Sequence, residues 1–409
     1  MHLVLFEDEA VLKFQPLLHL KPIYELTLGM RTLREKFEHA LPSMPLSLQM
    51  RRQLVPYWRT VFPERAINQF EDDTLFINGR VICDRVFAQK VLSGVFERGK
   101  AYFNGGQLVA FRGKASEIFP DGMPDLIEAK GIAERFPSSQ VDCRYVAFMW
   151  DLVRLHPEEF RREAVLCEDF GTIRGTVHPR ACLVNEARIF VGEGAEIRAG
   201  AVLDATDGYV YVAPDAKVLP NAVLMNYVYV GKGATVKIGA KIYDYVYVGA
   251  YAKVGGEIEG SIVERYANKQ HEGFLGHSYI SSWCNLGADT NTSDLKNNYS
   301  TIRMKVNGKE IDTKMQFLGL IMGEHSKSGI NTMFNTGTVV GMSSNIFGAG
   351  FPPKTIGSFQ WGGAEGFVRY DLEKALEVAR IVMKRRGIVL SPEYEAMFRA
   401  AYAHAESEV

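Results

Sequence analysis

Little in this chain favours a secreted, membrane-spanning or nucleic-acid-binding protein. Its 409 residues hold only five cysteines (Cys83, Cys143, Cys167, Cys182, Cys284), scattered and without a Cys-x-x-Cys pair. That pattern offers neither a disulfide framework nor a zinc site, and suits reduced thiols in a cytoplasmic protein. The formal net charge is -1, so no general electrostatic case exists for nucleic acid or an anionic membrane. No window approaches the ~18 apolar residues of a membrane span. After Leu3-Val4-Leu5-Phe6 the N-terminus turns acidic at Glu7-Asp8-Glu9, and it lacks the basic start and long apolar core of a signal peptide.

What the chain has is repetition. Tyr-Val-Tyr-Val occurs at 209–212, 227–230 and 245–248, eighteen residues apart each time. Within that spacing, Val212, Val218, Leu224, Val230, Val236, Ile242, Val248 and Val254 stand six apart. Fixed-period self-similarity marks a solenoid. Three hexads per eighteen residues predict a triangular coil with one short strand per side and inward aliphatic anchors. Small residues four positions after an anchor (Ala216, Ala222, Ala234, Ala240, Ala252) fit tight corners. Gly231, Gly249 and Gly255, one position after an anchor, suit corners with unusual dihedrals. The beat appears upstream at Val191 and Ile197, and a three-residue slip around Asp204–Gly208 separates it from the main run. It returns at Met322, Ser328, Phe334, Val340 and Ile346. The tyrosines read as an outward aromatic ladder.

Three segments follow: 1–168, an α/β domain; 169–356, the solenoid, interrupted at about 292–320; and 357–409, helical. In the first, Leu3–Phe6, Leu75–Val81, Val91–Phe96 and Leu108–Phe111 read as strands, and Thr32–His39 and Pro120–Arg135 as helices. Asn104-Gly105-Gly106 marks a hairpin turn. In the interruption, Asn307-Gly308 predicts a hairpin between Tyr299–Val306 and Lys309–Asp312. In the last, Tyr370–Arg386 carries Leu372, Leu376, Ala379 and Val382 at helical spacing, and Ser391-Pro392 opens a second helix. Lys384-Arg385-Arg386 reads as a solvated helix end, with phosphate binding the lesser alternative.

The densest polar constellation is Asn268–His277, followed by Asn285-Leu286-Gly287-Ala288-Asp289-Thr290. Phe274, Ile280 and Leu286 continue the six-residue count through it. A neutral imidazole takes a proton from an amine or hydroxyl near neutral pH. An Asn side chain donates to a carbonyl oxygen that becomes negative in a tetrahedral intermediate. The residues alone fit equally well as polar edge groups that satisfy exposed backbone.

The hexads resemble the hexapeptide-repeat left-handed β-helix. His271-Glu272-Gly273-Phe274-Leu275-Gly276 and Asn285–Thr290 resemble the acyltransferase half of the bacterial bifunctional N-acetylglucosamine-1-phosphate uridyltransferase/glucosamine-1-phosphate N-acetyltransferase family. The resemblance implies a homotrimer with sites between subunits and acetyl-CoA as co-substrate. His271 would be the base that deprotonates a sugar amine, and Asn285 a contact to the sugar or acyl group. Phe274 stands where the family has tyrosine, and Glu259 where it has a phosphate-gripping lysine. Lys269 or Lys296 could replace that lysine; His277 and Asn297 complete the expected sugar-binding set. Asp294–Tyr299 lies where the family places an Asn-Tyr sugar contact, and reads equally as a loop of turn formers.

The N-terminal residues Val4–Glu9, Pro16-Leu17, Lys21–Leu26 and Gly29–Lys36 resemble a divergent sugar nucleotidyltransferase family whose members join such a domain to a hexapeptide helix. The usual Leu-x-x-Gly-x-Gly-Thr-Arg loop is absent. Glu7, Asp8 and Glu9 stand there, and would meet a triphosphate only across a divalent cation such as Mg2+. Asp8 and Asp151 are the candidate metal ligands. Arg80 stands where the family has a metal-binding Asp, and Arg80 and Arg31 are candidate phosphate contacts, with structural salt bridges an equal reading. The resemblance implies a small-molecule transferase acting on a sugar phosphate and nucleotide in nucleotide-sugar or cell-envelope precursor synthesis, by N-acetylation and possibly nucleotidyl transfer. The alternative is a non-catalytic trimeric scaffold with degenerate sites.

Overall fold

The computed structural model describes residues 2–70 and 73–405. Its N-terminal region is α/β. The buried strand His2–Phe6 pairs in parallel with Leu46–Leu48 on one side and Thr74–Asn78 on the other. Gln107–Gly113 runs antiparallel to Thr74–Asn78 and to Lys100–Asn104, and Ser138–Gln140 closes the six-stranded sheet. The helix Leu33–Ala40 begins at Thr32 in a capping box with Glu35, which satisfies two of its free amides. Two local readings fail here. Val91–Phe96 is not a strand: Asp84 caps the amide of Phe87 and starts a helix, Arg85–Leu92, that runs into the valine. Pro120–Arg135 is helical only at Ala129–Arg135.

The middle of the chain is a parallel β-helix of three sheets. All eight aliphatic anchors from Val212 to Val254 are fully buried, as are the five alanines of the corners. Strands one coil apart pair in register, Val212 on Val230 on Val248, so each anchor stacks on its own copy. One sheet carries the tyrosines; a second carries Lys217, Thr235, Lys253, Asn268, Asn285 and Lys327 outward. The third carries Tyr243, Glu257 and Glu259 and is called the acidic face below. Two more strands, Gln360–Gly363 and Gly366–Arg369, continue the second sheet past residue 356. The interruption forms the expected hairpin, Arg303–Val306 against Lys309–Asp312.

Gly231, Gly249 and Gly255 do not have positive φ. They are required for space: a Cβ on Gly249 would stand 2.4 Å from the amide nitrogen of Arg265 on the next coil, and one on Gly255 2.4 Å from the carbonyl of Gln270. The left-handed corner positions fall instead to Asn221, Asn226, Tyr251, Tyr266, Trp283 and His325. Tyr251, Tyr266, Trp283 and His325 stack ring on ring along one corner.

The tyrosine ladder is outward, as read from the sequence, and it is also an interface. Tyr211, Tyr229 and Tyr247 stack at 5.0 Å spacings. Tyr227 and Tyr245 meet Phe160 of the helix His156–Leu166, which packs the N-terminal region against this face. Lys21 crosses to the buried carboxylates of Glu264 and Glu324, and the amide of Thr27 donates to the Tyr279 hydroxyl. The helices Leu372–Lys384 and Pro392–Ala405 cover the far side; Tyr394 bonds His325 at 2.7 Å.

Candidate functional site

In the N-terminal region the predicted metal and phosphate groups are already neutralised. Glu7 is fully buried, and its carboxylate accepts from the Arg51 guanidinium and from the amides of Ile23 and Arg51. Asp8 accepts from Arg80 at 3.1 and 2.6 Å and from Asn78 at 2.8 Å. Arg80 also donates to the Val146 carbonyl and to Gln107, and is 2% exposed. Asp8, the expected metal ligand, and Arg80, the expected phosphate contact, are thus paired with one another. Asp151, the other expected metal ligand, accepts the amides of Ala147 and Phe148 and pairs with Arg154. Among the described residues no group of three or more His, Cys, Asp or Glu side chains could hold a metal. Arg31 lies 3.6 Å from Glu163 and lines a cleft of about 1080 Å3 between the helices Leu33–Ala40, Arg85–Leu92 and His156–Leu166, whose lining includes neither His271 nor His277.

On the solenoid the two histidines separate. His271 lies in the corner before the acidic-face strand Phe274–Gly276, and His277 in the corner after it. His271 is exposed, and its imidazole makes no hydrogen bond or ion pair among the described residues. Asn285 is half-buried on the neighbouring sheet, directly above Asn268 in register, so it sits one coil from the segment that carries His271. Arg386 donates to Asn268 at 2.7 Å, which gives part of the basic helix end a contact on the same sheet.

Lys269, expected as a phosphate contact, points into the coil. It takes an inward anchor position, in register with Val254, and is 2% exposed. Its ammonium donates to the carbonyls of His271 and Glu272. Burial lowers its pKa to about 8 against the opposing pull of Glu272. The anchor count, not the site expectation, changes at Phe274: the inward residue of its strand is Leu275, in register with Ile258, and Phe274 faces out beside Glu257. The coil has shortened by one residue there, so the six-residue count slips. Lys296 holds its own loop through the Thr301 carbonyl at 2.7 Å, while Asn297 is exposed.

His277 is built differently from His271. Its Nδ1 lies 2.8 Å from Asp294 Oδ2, and the Phe317 ring stands 5.1 Å from its own. Glu259 flanks the pair. Burial raises the Glu259 pKa; the His277 charge opposes this, and Asp294, Asp244 and Glu257 add to it. Sequence reading placed His277 near a ligand but did not pair it with Asp294. The available signal was their separation of seventeen residues, about one coil.

A family model described as sugar nucleotidyl transferase matches residues 3–170. The bifunctional protein GlmU of Methanococcus maripaludis (strain C5) is 33% identical over 90 residues, 22% of each chain. A bifunctional sugar-1-phosphate nucleotidylyltransferase/acetyltransferase of Sulfurisphaera tokodaii is 28% identical over 91 residues, 22% of this chain and 23% of that one. The matches thus span about a quarter of these relatives' length. Solved structures with some likeness include the polySia-specific acetyltransferase NeuO (16% identity, 49% of this chain and 86% of that one, TM-score 0.27) and LpxA, a UDP-N-acetylglucosamine acyltransferase from Bacteroides fragilis (16%, 58% and 91%, TM-score 0.25). The chain is related, at the level of a superfamily, to sugar- and nucleotide-directed nucleotidyl- and acyltransferases. Among the described residues no helix is long and apolar enough to cross a membrane.

Proposed function

We propose that the solenoid transfers an acyl group, acetyl in the simplest case, from a coenzyme A thioester to the amine of a sugar or sugar phosphate. The observation that carries this reading is the accessible imidazole of His271 at the edge of the acidic face, with Asn285 on the adjacent coil. The similarity to bifunctional nucleotidylyltransferase/acetyltransferases supports it. An imidazole on that face, His271 at one corner or His277 at the other, accepts the proton that the amine loses as it attacks the thioester. The Asn285 amide can donate to the acceptor or to the developing oxyanion. The site lies between subunits of a homotrimer in this reading. Nucleotidyl transfer with Mg2+ in the N-terminal region is the weaker half, because Asp8 and Arg80 neutralise one another.

A non-catalytic scaffold is the competing reading, favoured by that same ion pair. Ligand-induced thermal stabilisation of the full chain separates the two. A ligand at 100 times its Kd stabilises the folded state by about 2.7 kcal/mol. Coenzyme A is expected to raise the melting temperature. A protein indifferent to coenzyme A and to nucleoside triphosphates at millimolar concentration would be the scaffold.

A further inference from the structure

Two glycines stand against the His277–Asp294 pair, one beside each partner. A Cβ on Gly260, one coil away, would stand 2.9 Å from His277 Cδ2 and 3.0 Å from Nε2. A Cβ on Gly276 would stand 2.2 Å from Asp294 Oδ2. Gly276 does not have positive φ, so its backbone does not demand glycine; the space for the carboxylate does. Asp294 is 8% exposed and comes from the first residues of the interruption. The Leu318 amide, just before the returning strand Leu320–Met322, donates to the Asp294 carbonyl at 2.9 Å. The Gly319 amide donates to the His277 carbonyl at 2.9 Å. Both ends of the interruption thus hold the pair. A carboxylate on Nδ1 fixes the tautomer that leaves Nε2 with a lone pair, the arrangement of a base with an orienting partner. His271 has no such partner.

We propose that the His277–Asp294 pair is the proton-accepting group of the solenoid's transfer reaction, acting on an acceptor that lies across the acidic face between His277 and His271. This rests on the acyl-transfer reading. The acceptor nitrogen attacks the thioester carbonyl carbon, and its proton passes to His277 Nε2. The C–S bond breaks, and the leaving thiolate takes the proton back from Nε2. An amide and a free thiol result, and His277 returns to its neutral form. Asp294 is a positioning residue: it touches the imidazole and not the acceptor. Asp294 touches the ring, and Glu259, which feels the His277 charge, stands among Asp294, Asp244 and Glu257; this acidic neighbourhood suits a face that meets an ammonium or hydroxyl-rich ligand.

Two measurements test the pair. The first needs no substrate: diethylpyrocarbonate modification of the full chain at pH 8, followed residue by residue by peptide mass spectrometry. His277 Nε2 is expected to react at least as fast as the more exposed His271, and Asp294→Asn to slow His277 several-fold while leaving His271 unchanged. Equal rates at His277 in wild type and Asp294→Asn would overturn the pairing. The second is thiol release from acetyl-CoA with amino-sugar phosphates as acceptors. His277→Ala is expected to lower kcat by ~10²–10⁴-fold, and Asp294→Asn to lower kcat and shift its pH profile with KM little changed. Full activity in His277→Ala, with loss only in His271→Ala, would overturn the assignment and leave acyl transfer standing. If no acceptor is turned over by wild type, the acyl-transfer reading fails, while the modification rates still decide the pairing.

Discussion

Replacement of Lys21 by methionine tests how the two halves of the chain are joined. Lys21 Nζ contacts Glu264 directly and stands 3.2 Å from Glu324 Oε1, with all three side chains 5–8% exposed. Burial alone would raise the Glu264 carboxyl, but Lys21 and the Tyr279 and Ser282 hydroxyls overcome it and hold the pKa low. Burial raises Glu324, and Lys21 offsets this only in part. At an effective dielectric of about 20, a pair 3.2 Å apart interacts by about 5 kcal/mol. Removal of one partner from a buried pair costs about 3–5 kcal/mol, because the other charge is left uncompensated. Lys21→Met is therefore expected to destabilise by about 3–5 kcal/mol at pH 7. Trp58 and Trp283 line the cavity of about 280 Å3 beside the triad, so their fluorescence in a urea titration reports this interface. The variant's deficit shrinks as pH falls and the carboxylates protonate. Lys21→Met/Glu324→Gln recovers part of the loss at pH 7. A single variant within 1 kcal/mol of wild type, the usual scale of a surface pair, would refute the reasoning.

Two further outcomes are expected. Gly249→Ala places a Cβ 2.4–3.0 Å from the backbone of Glu264 and Arg265 and lowers the melting temperature. Gly131→Ala, in a helix with nothing within 4 Å, raises stability by up to about 1 kcal/mol; equal effects would remove the coil-contact argument. Burial lowers the pKa of His19 and His156 to about 3, so between pH 6.5 and 3 the unfolded chain binds protons that these rings do not. Stability therefore falls as pH is lowered through that window, by about 1.4 kcal/mol per unit for each ring. Denaturation midpoints at pH 7 and 5 should show the fall, with a shallower slope in His156→Asn; an unchanged slope would contradict it.

The solenoid was legible because its period is local and each anchor repeats one chemical demand: an aliphatic side chain enclosed by three sheets. Legibility ended where the period changed. Leu275 took the inward place expected of Phe274, since the coils around it lose a residue, and Lys269 took an anchor position that the pattern reserves for an aliphatic. In the N-terminal region Val91 looked like strand material, yet the Asp84 cap decided for helix. The corner glycines were visible, but their reason was not, because contact with the next coil is no property of local sequence. The same holds for function. Asp8 and Arg80 drew attention as charged residues and Lys21 only as part of a motif, but their partners lie 72 and 243 residues away in the chain, and only the fold shows that those partners occupy them. Asp294 was visible as a polar loop residue and became the partner of His277 only once the coils were stacked.

The most direct test of the account is free-thiol release from acetyl-CoA by the full chain, with a panel of amino-sugar phosphates and nucleotide-linked amino sugars as acceptors. The account predicts acceptor-dependent thiol release matched mole for mole by N-acylated sugar. Stabilisation by coenzyme A with no acylated product from any acceptor would contradict it.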